Sequence, residues 1–297
     1  MNRLLVPIRP MLTAILLSGL ALTAHASSTW NSSQFTCGND TAFGNRWAVD
    51  TTCGSGNSIT APYEVAASAW STATAATGIP ATETAGSSTT PFTTAQLIKY
   101  SGGFGVSNRD EGLYAPSDQH TVDNSAAVDL VAFDFGSAKV MLESITIGYV
   151  GDINGQAEND SDLSLLAWTG AGAPNLTTAL QGQTIASLVT AGSGWTWVGN
   201  YNNLGVNTAR NVNTGVAGTT SIGGQISSSW WLVSAFSTAF PGSDWTVAND
   251  SFKIKSLSGM IVPPEPANNA PEPGSLALMG VALVGFVATR RRKLKPT

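Results

Sequence analysis

From Val128 onward the chain breaks into short apolar stretches, the first and last of which alternate hydrophobic and polar positions with a period of two. Val131, Phe133 and Phe135 alternate with Ala132 and Asp134, the pattern that buries one face of a strand, and Gly136-Ser137 can turn the chain. Val140 and Leu142, then Ile145, Ile147 and Tyr149, alternate as well, but the apolar phase slips between Leu142 and Ile145. A bulge at that point restores one inward face. Further strands are expected over Leu163 to Trp168, Trp195 to Tyr201, Trp230 to Phe236 and Phe252 to Leu257, with Gly, Asn or Pro between them. Thr184 to Thr190 reads as a short helix. Turn-rich stretches such as Gly54-Ser55-Gly56-Asn57 allow only short strands in residues 27–60. Between Ala66 and Pro91 the chain is a low-complexity run of Ala, Thr, Ser and Gly, expected to form an exposed loop or inter-strand insertion. A helix from Tyr63 to Ala76 is disfavoured by its Thr and Ser, which lose side-chain freedom or compete for backbone hydrogen bonds. No internal repeat supports a propeller or β-helix. The expected fold class is all-β, an antiparallel, jelly-roll-like β-sandwich.

The two ends depart from this pattern. Arg3 and Arg9 precede a run from Met11 to Ala24 broken only by small polar residues, and Ala24-His25-Ala26 supplies a small-x-small cleavage pattern. Residues 1–26 read as a secretory signal peptide, and cleavage after Ala26 by signal peptidase leaves Ser27 as the new N-terminus. At the other end, Pro271-Glu272-Pro273-Gly274 leads into an apolar run followed by Arg290-Arg291-Arg292-Lys293. Pro273 to Thr289 is 17 residues without a charge, at the short end of the ~17–25 that cross a bilayer as a helix. The basic cluster resists translocation, which keeps the tail in the cytoplasm and everything before Pro271 outside. The expected organisation is a signal peptide (1–26), an ectodomain (27–262), a Pro-rich linker (263–274) and a sorting domain (271–295). The last comprises an inner-membrane span (273–289) and a basic tail (290–295).

The order Pro-Glu-Pro, short apolar span, basic cluster resembles the PEP-CTERM sorting signal of exosortase substrates in Gram-negative bacteria. The resemblance implies that Pro271, Glu272 and Pro273 form the recognition site and that Arg290, Arg291 and Arg292 close the signal. It also implies an exosortase, an integral-membrane cysteine transpeptidase that cuts near the tripeptide and releases or transfers the ectodomain. Pro264-Glu265-Pro266 has no adjacent apolar run and reads as stalk. Within the ectodomain, Gly102 to Glu111, Asp118 to Asn124 and Asp160 to Gly170 resemble a family of exosortase-dependent surface proteins of unknown activity, over about Phe104 to Gly259. That likeness implies export by the general secretory machinery and display at the cell surface or in the extracellular medium. It supplies no catalytic residue.

Charge and cysteine usage narrow the function classes. Residues 27–274 hold all 19 acidic side chains and seven basic ones, 7 − 19 = −12. A nucleic-acid partner is excluded, because displacing counterions from phosphates needs clustered Lys and Arg, and the only such cluster is the tail. Cys37 and Cys53 are the only cysteines. In an oxidising compartment they are expected to form one disulfide, contributing roughly 3 kcal/mol by closing a loop of about 15 residues.

Three groups of residues invite chemistry. Asp152-Ile153-Asn154-Gly155 and Glu158-Asn159-Asp160-Ser161-Asp162 place four carboxylates in an 11-residue loop between strands. Calcium takes six to eight oxygen ligands of this kind, so Asp152, Asn154, Glu158, Asp160 and Asp162 are the candidate metal ligands and calcium the candidate cofactor. The stretch lacks the Gly and Glu that an EF-hand requires. The competing reading is a solvated acidic turn that discourages edge pairing. His120 with Asp118 or Asp123, and Ser107 or Ser117 as nucleophile, suggests a hydrolase; a hydrogen-bonded turn entering the first strong strand is the simpler account, and no Gly-x-Ser-x-Gly elbow is present. Trp195, Trp197, Tyr201, Trp230 and Trp231 can stack on sugars or fill a core, and Trp230 and Trp231 must face opposite sides of a regular strand. The expected function is non-enzymatic: an exported surface or matrix protein, processed by exosortase, with a structural or adhesive role. The alternative is a lectin-like module or enzyme acting on extracellular polysaccharide.

Overall fold

The computed structural model describes residues 27–37, 52–55, 65–72, 89–108, 120–124, 127–151, 160–214, 219–221, 225–242, 250–263 and 278–283. The first strands are short: β1 Ser27–Asn31, a 3-10 turn Ser32–Gln34, β2 Phe35–Cys37 and β3 Thr52–Ser55. Then come β4 Ala66–Ser71, β5 Thr93–Tyr100, β6 Gly103–Ser107, β7 Val122–Asp123, β8 Asp129–Asp134, β9 Lys139–Val150 and β10 Leu163–Trp168. Two short helices follow, α1 Leu176–Ala179 and α2 Ile185–Leu188, and then β11 Trp195–Tyr201, β12 Ala209–Asn211, β13 Thr219–Ser221, β14 Trp230–Ala235 and β15 Ser251–Val262.

The chain is all-β as expected, but the two separate sheets of a sandwich are replaced by one continuous antiparallel sheet. Its path runs β12-β9-β15-β6-β5-β4-β8-β14-β10-β11-β13, with β1 and β7 added along β15 and β2-β3 along β4. The sheet curls, so that β9, β15 and β6 close over β8, β14 and β10. Val140, Leu142, Ile145 and Ile147 meet Val131, Phe133, Leu163, Leu165, Trp231 and Val233 in one core. The curl depends on bulges. Ser258 pairs with Ser144 and the next residue, Gly259, with Leu142, which leaves Glu143 as the extra residue where the apolar phase slips. Gly259 is required there, because a Cβ on it would stand 2.7 Å from the Met141 carbonyl oxygen.

The low-complexity expectation for Ala66 to Pro91 is corrected at both its ends. Ala66–Ser71 is a central strand, pairing with β8 along its whole length and with β3 and β5. Residues 89–92 lead into β5, and 73–88 lie outside the described residues. Small side chains suit a strand covered on both faces: Ala67 and Ala69 face the inner core, while Trp70 joins a second cluster outside. That second cluster gathers Leu130, Ala132, Leu166, Leu232 and Trp195 from the convex face beneath Phe92, Leu180, Ile185, Leu188 and Phe240. Strands β8, β14 and β10 are thereby buried on both sides, which accounts for their near-continuous apolar sequence. The expected helix near Thr184 forms. Thr184 caps α2 by accepting from the Ser187 amide (3.1 Å), and Ser187 Oγ accepts from the Thr184 amide (2.9 Å).

Residues 1–26, the linker beyond Pro263 and the Pro-Glu-Pro motif lie outside the described residues. Residues 278–283 are helical, with Leu278, Met279, Val281 and Leu283 exposed. No helix among the described residues is long and apolar enough to cross a membrane. Cys37 and Cys53 are direct partners in the β2-β3 ladder; no disulfide is present among the described residues.

Candidate metal centre

Two chain entries into long strands meet at one point. Asp160-Ser161-Asp162 leads into β10 and Asp250 leads into β15, and Asp160 and Asp250 form an isolated parallel bridge. Backbone bonds hold the crossing: the Ser251 amide donates to the Asp160 carbonyl (3.1 Å) and the Phe236 amide to the Asp162 carbonyl (3.1 Å). The carboxylates of Asp160, Asp162 and Asp250 consequently converge, each offering an oxygen within 4.8 Å of the others.

Their second contacts orient them. Asp250 Oδ1 accepts from the Asp162 amide (2.7 Å), while Asn124 donates from Nδ2 to Asp250 Oδ2 and accepts from the Asp250 amide (3.0 Å). Asp162 Oδ1 accepts from the Asn203 amide (2.7 Å). Asn203 adopts φ 51°, a left-handed conformation that asparagine tolerates, on the turn leaving β11. Ser161 Oγ donates to the Leu204 carbonyl (2.8 Å), fixing the same turn.

The electrostatics are unfavourable for three bare anions. Asp162 is 3% exposed and Asp250 fully buried, with Asp160 half-buried. Burial, then the Asp160 charge, pushes the Asp162 carboxyl up to about 7 against the opposing Asn203 hydrogen bond. Burial and the Asp162 charge push Asp250 well above the usual carboxylate range. Among the described residues, the charges acting on this pair are those of the other carboxylates. Such a cluster keeps protons at neutral pH or takes up a hard, oxygen-seeking cation.

Of the five ligands expected from sequence, Asp160 and Asp162 are brought together, whereas Asp152, Asn154 and Glu158 lie outside the described residues. Asp250 was not foreseen: it is 88 residues from Asp162, and the only local signal is an acidic residue directly before a strongly alternating strand.

The remaining candidates separate by burial. Trp231 and Tyr201 are core residues, Trp195 is buried under α1, and Trp197 and Trp230 are half-buried on the convex face. Trp230 and Trp231 do face opposite sides. Ser107, His120 and Asp123 are all buried, with His120 stacked 6.4 Å from the Tyr100 ring and Asp123 Oδ2 accepting from Thr121 (3.2 Å). Ser117 and Asp118 lie outside the described residues.

No curated protein and no solved structure matches the chain. One family model does, over residues 269–293, and its description is the PEP-CTERM protein-sorting motif. The match takes in Pro271-Glu272-Pro273, the apolar run and the basic cluster, and leaves out the upstream Pro264-Glu265-Pro266. The motif implies an exported surface protein directed to an exosortase, and the chain carries this sorting motif in its C-terminal part.

Proposed function

We propose that this chain is a structural or adhesive component of the cell surface or extracellular matrix, delivered by signal peptide and exosortase and tied together by a bound calcium ion. The sorting motif at residues 269–293 carries the reading. Exosortase cuts near Pro271 while residues 273–289 hold the chain in the inner membrane, and the ectodomain is then released or transferred.

The fold suits this use. Strand β15 pairs with β9, β1, β6 and β7, and it ends at Val262, shortly before the motif. A cut at Pro271 therefore removes none of the strands described in the sheet. Load applied at the processed end enters β15 along its length, where ten residue pairs with β9 must shear together. Asp250 stands at the far end of that strand, so a cation shared with Asp160 and Asp162 joins β15 to β10 across the curl.

Intact mass spectrometry of the protein from cells and medium, with and without the exosortase, tests the routing. The expected product begins at Ser27 and ends near Pro271 only when the enzyme is present. A membrane-bound product retaining Lys295 to Thr297 in both strains would refute it.

A further inference from the structure

The convex face carries a cleft of about 560 Å³, open to solvent, between the start of β11 and the segment that follows α2. This is within the ~300–1,000 Å³ usual for ligand sites. Its walls include Thr169, Gly170, Thr190, Trp195, Thr196 and Trp197, and none of the described lining residues is charged. Trp195 packs edge-on against Trp168, 5.1 Å between ring centres, and its Nε1 donates to the Ala179 carbonyl (3.1 Å). Trp197 is half-buried, and its Nε1 donates to Asn200 Oδ1 (3.0 Å), so the indole is held in place without being covered. Beside it, the hydroxyls of Thr169 and Thr196 are 2.7 Å apart. Gly194 (φ +87°) keeps the rear wall flat: a Cβ there would lie 2.2 Å from the Trp168 ring.

A second depression of about 240 Å³ opens on the same face beyond Leu176 of α1, lined by Trp70, Trp230, Ser68 and Asp134. Two tryptophan-bearing depressions on one face suit an extended ligand with repeated apolar faces.

We infer that the cleft at Trp197 binds a neutral polysaccharide, one sugar ring lying against the indole and ring hydroxyls meeting the Thr169–Thr196 pair and the glycine-rich backbone. An indole offers an apolar face with a polar edge, which matches the C–H face and hydroxyl rim of a sugar. Hydroxyls both donate and accept, as sugar hydroxyls do. The described lining is uncharged and offers an ionised ligand no partner among the described residues, and the −12 charge of residues 27–274 repels polyanions and nucleic acids. The inference deepens the adhesive reading above by naming what the surface would hold, and it stands apart from sorting, which mass spectrometry reads at Pro271.

The test uses the full chain in a zwitterionic, non-glycoside detergent, titrated with dextran, laminarin, galactomannan and xylan, with alginate as the anionic comparison and casein peptides as the protein comparison. Saturable binding of at least one neutral polymer is expected, with a change in tryptophan fluorescence. Trp197→Ala should weaken it at least tenfold, Trp197→Phe should keep most of it, and Thr196→Val should weaken it several-fold, all at unchanged melting temperature. Binding to none of the neutral polymers, binding indifferent to Trp197→Ala, or preference for alginate or peptide would each overturn the inference.

Discussion

Removing calcium and raising the pH together should expose the cost of the carboxylate cluster. Asp162 ionises at its ordinary value of 3.8 in the unfolded chain and at about 7 in the folded one. Below pH 3.8 both states hold the proton and the fold bears no penalty. Between 3.8 and 7 the unfolded chain releases it first, so stability falls with rising pH; above 7 the loss is complete. At about 1.36 kcal/mol per pKa unit, and with the titration shared with the adjoining Asp250 carboxyl, the loss is about 2–4 kcal/mol. For a domain of this size that is on the order of a 5–15 °C fall in Tm between pH 4 and pH 8. Calcium competes with protons for the same oxygens. At 10 mM ion and a Kd of ~0.1–1 mM, typical of extracellular modules, it should restore about 1.4–2.7 kcal/mol at pH 8 and far less at pH 5. Asp162→Asn keeps the acceptor for the Asn203 amide while removing one charge, so its melting temperature should fall less steeply with pH than the parent's, the remaining slope coming from buried Asp250, and should be insensitive to calcium. Scanning calorimetry of the protein in chelator and in calcium, at both pH values, reads all of this. A parent protein whose Tm ignores calcium at pH 8, or an Asp162→Asn variant with the parent's calcium response, would refute the reasoning.

Other outcomes test the fold. Trp231→Ala empties the inner core and removes a donor to the Val140 and Ser228 carbonyls, costing about 3–5 kcal/mol in urea denaturation, whereas Trp230→Ala on the convex face should cost clearly less; equal losses would contradict the assignment of faces. Gly103 has φ +127°, and a Cβ on it would stand 2.3 Å from the Ile254 carbonyl oxygen, so Gly103→Ala should lower stability by at least about 2 kcal/mol; a neutral effect would place β6 wrongly against β15.

Local chemistry determined much of this protein before any contact was known. The strands Leu163–Trp168 and Trp195–Tyr201, the bulge at Glu143 and the short helix after Thr184 follow from short apolar stretches between turn residues, a slipped phase and a local helical pattern, each settled within a few residues. The sorting motif is legible for the same reason, since its three parts are contiguous. Tertiary structure decided the rest. Ala66–Ser71 has too little hydrophobic contrast to announce a strand, and only its place between β8 and β5 makes small side chains the fitting ones. One sheet rather than two follows from β5 and β6 carrying the ladder around the curl, which no period within a strand encodes. The choice of Trp231 as core and Trp197 as cleft depends on which face each strand turns inward. Asp250 joins Asp160 and Asp162 because two strand entries cross, and a contact between residues 88 apart in the chain has no signature in the periodicity of either segment.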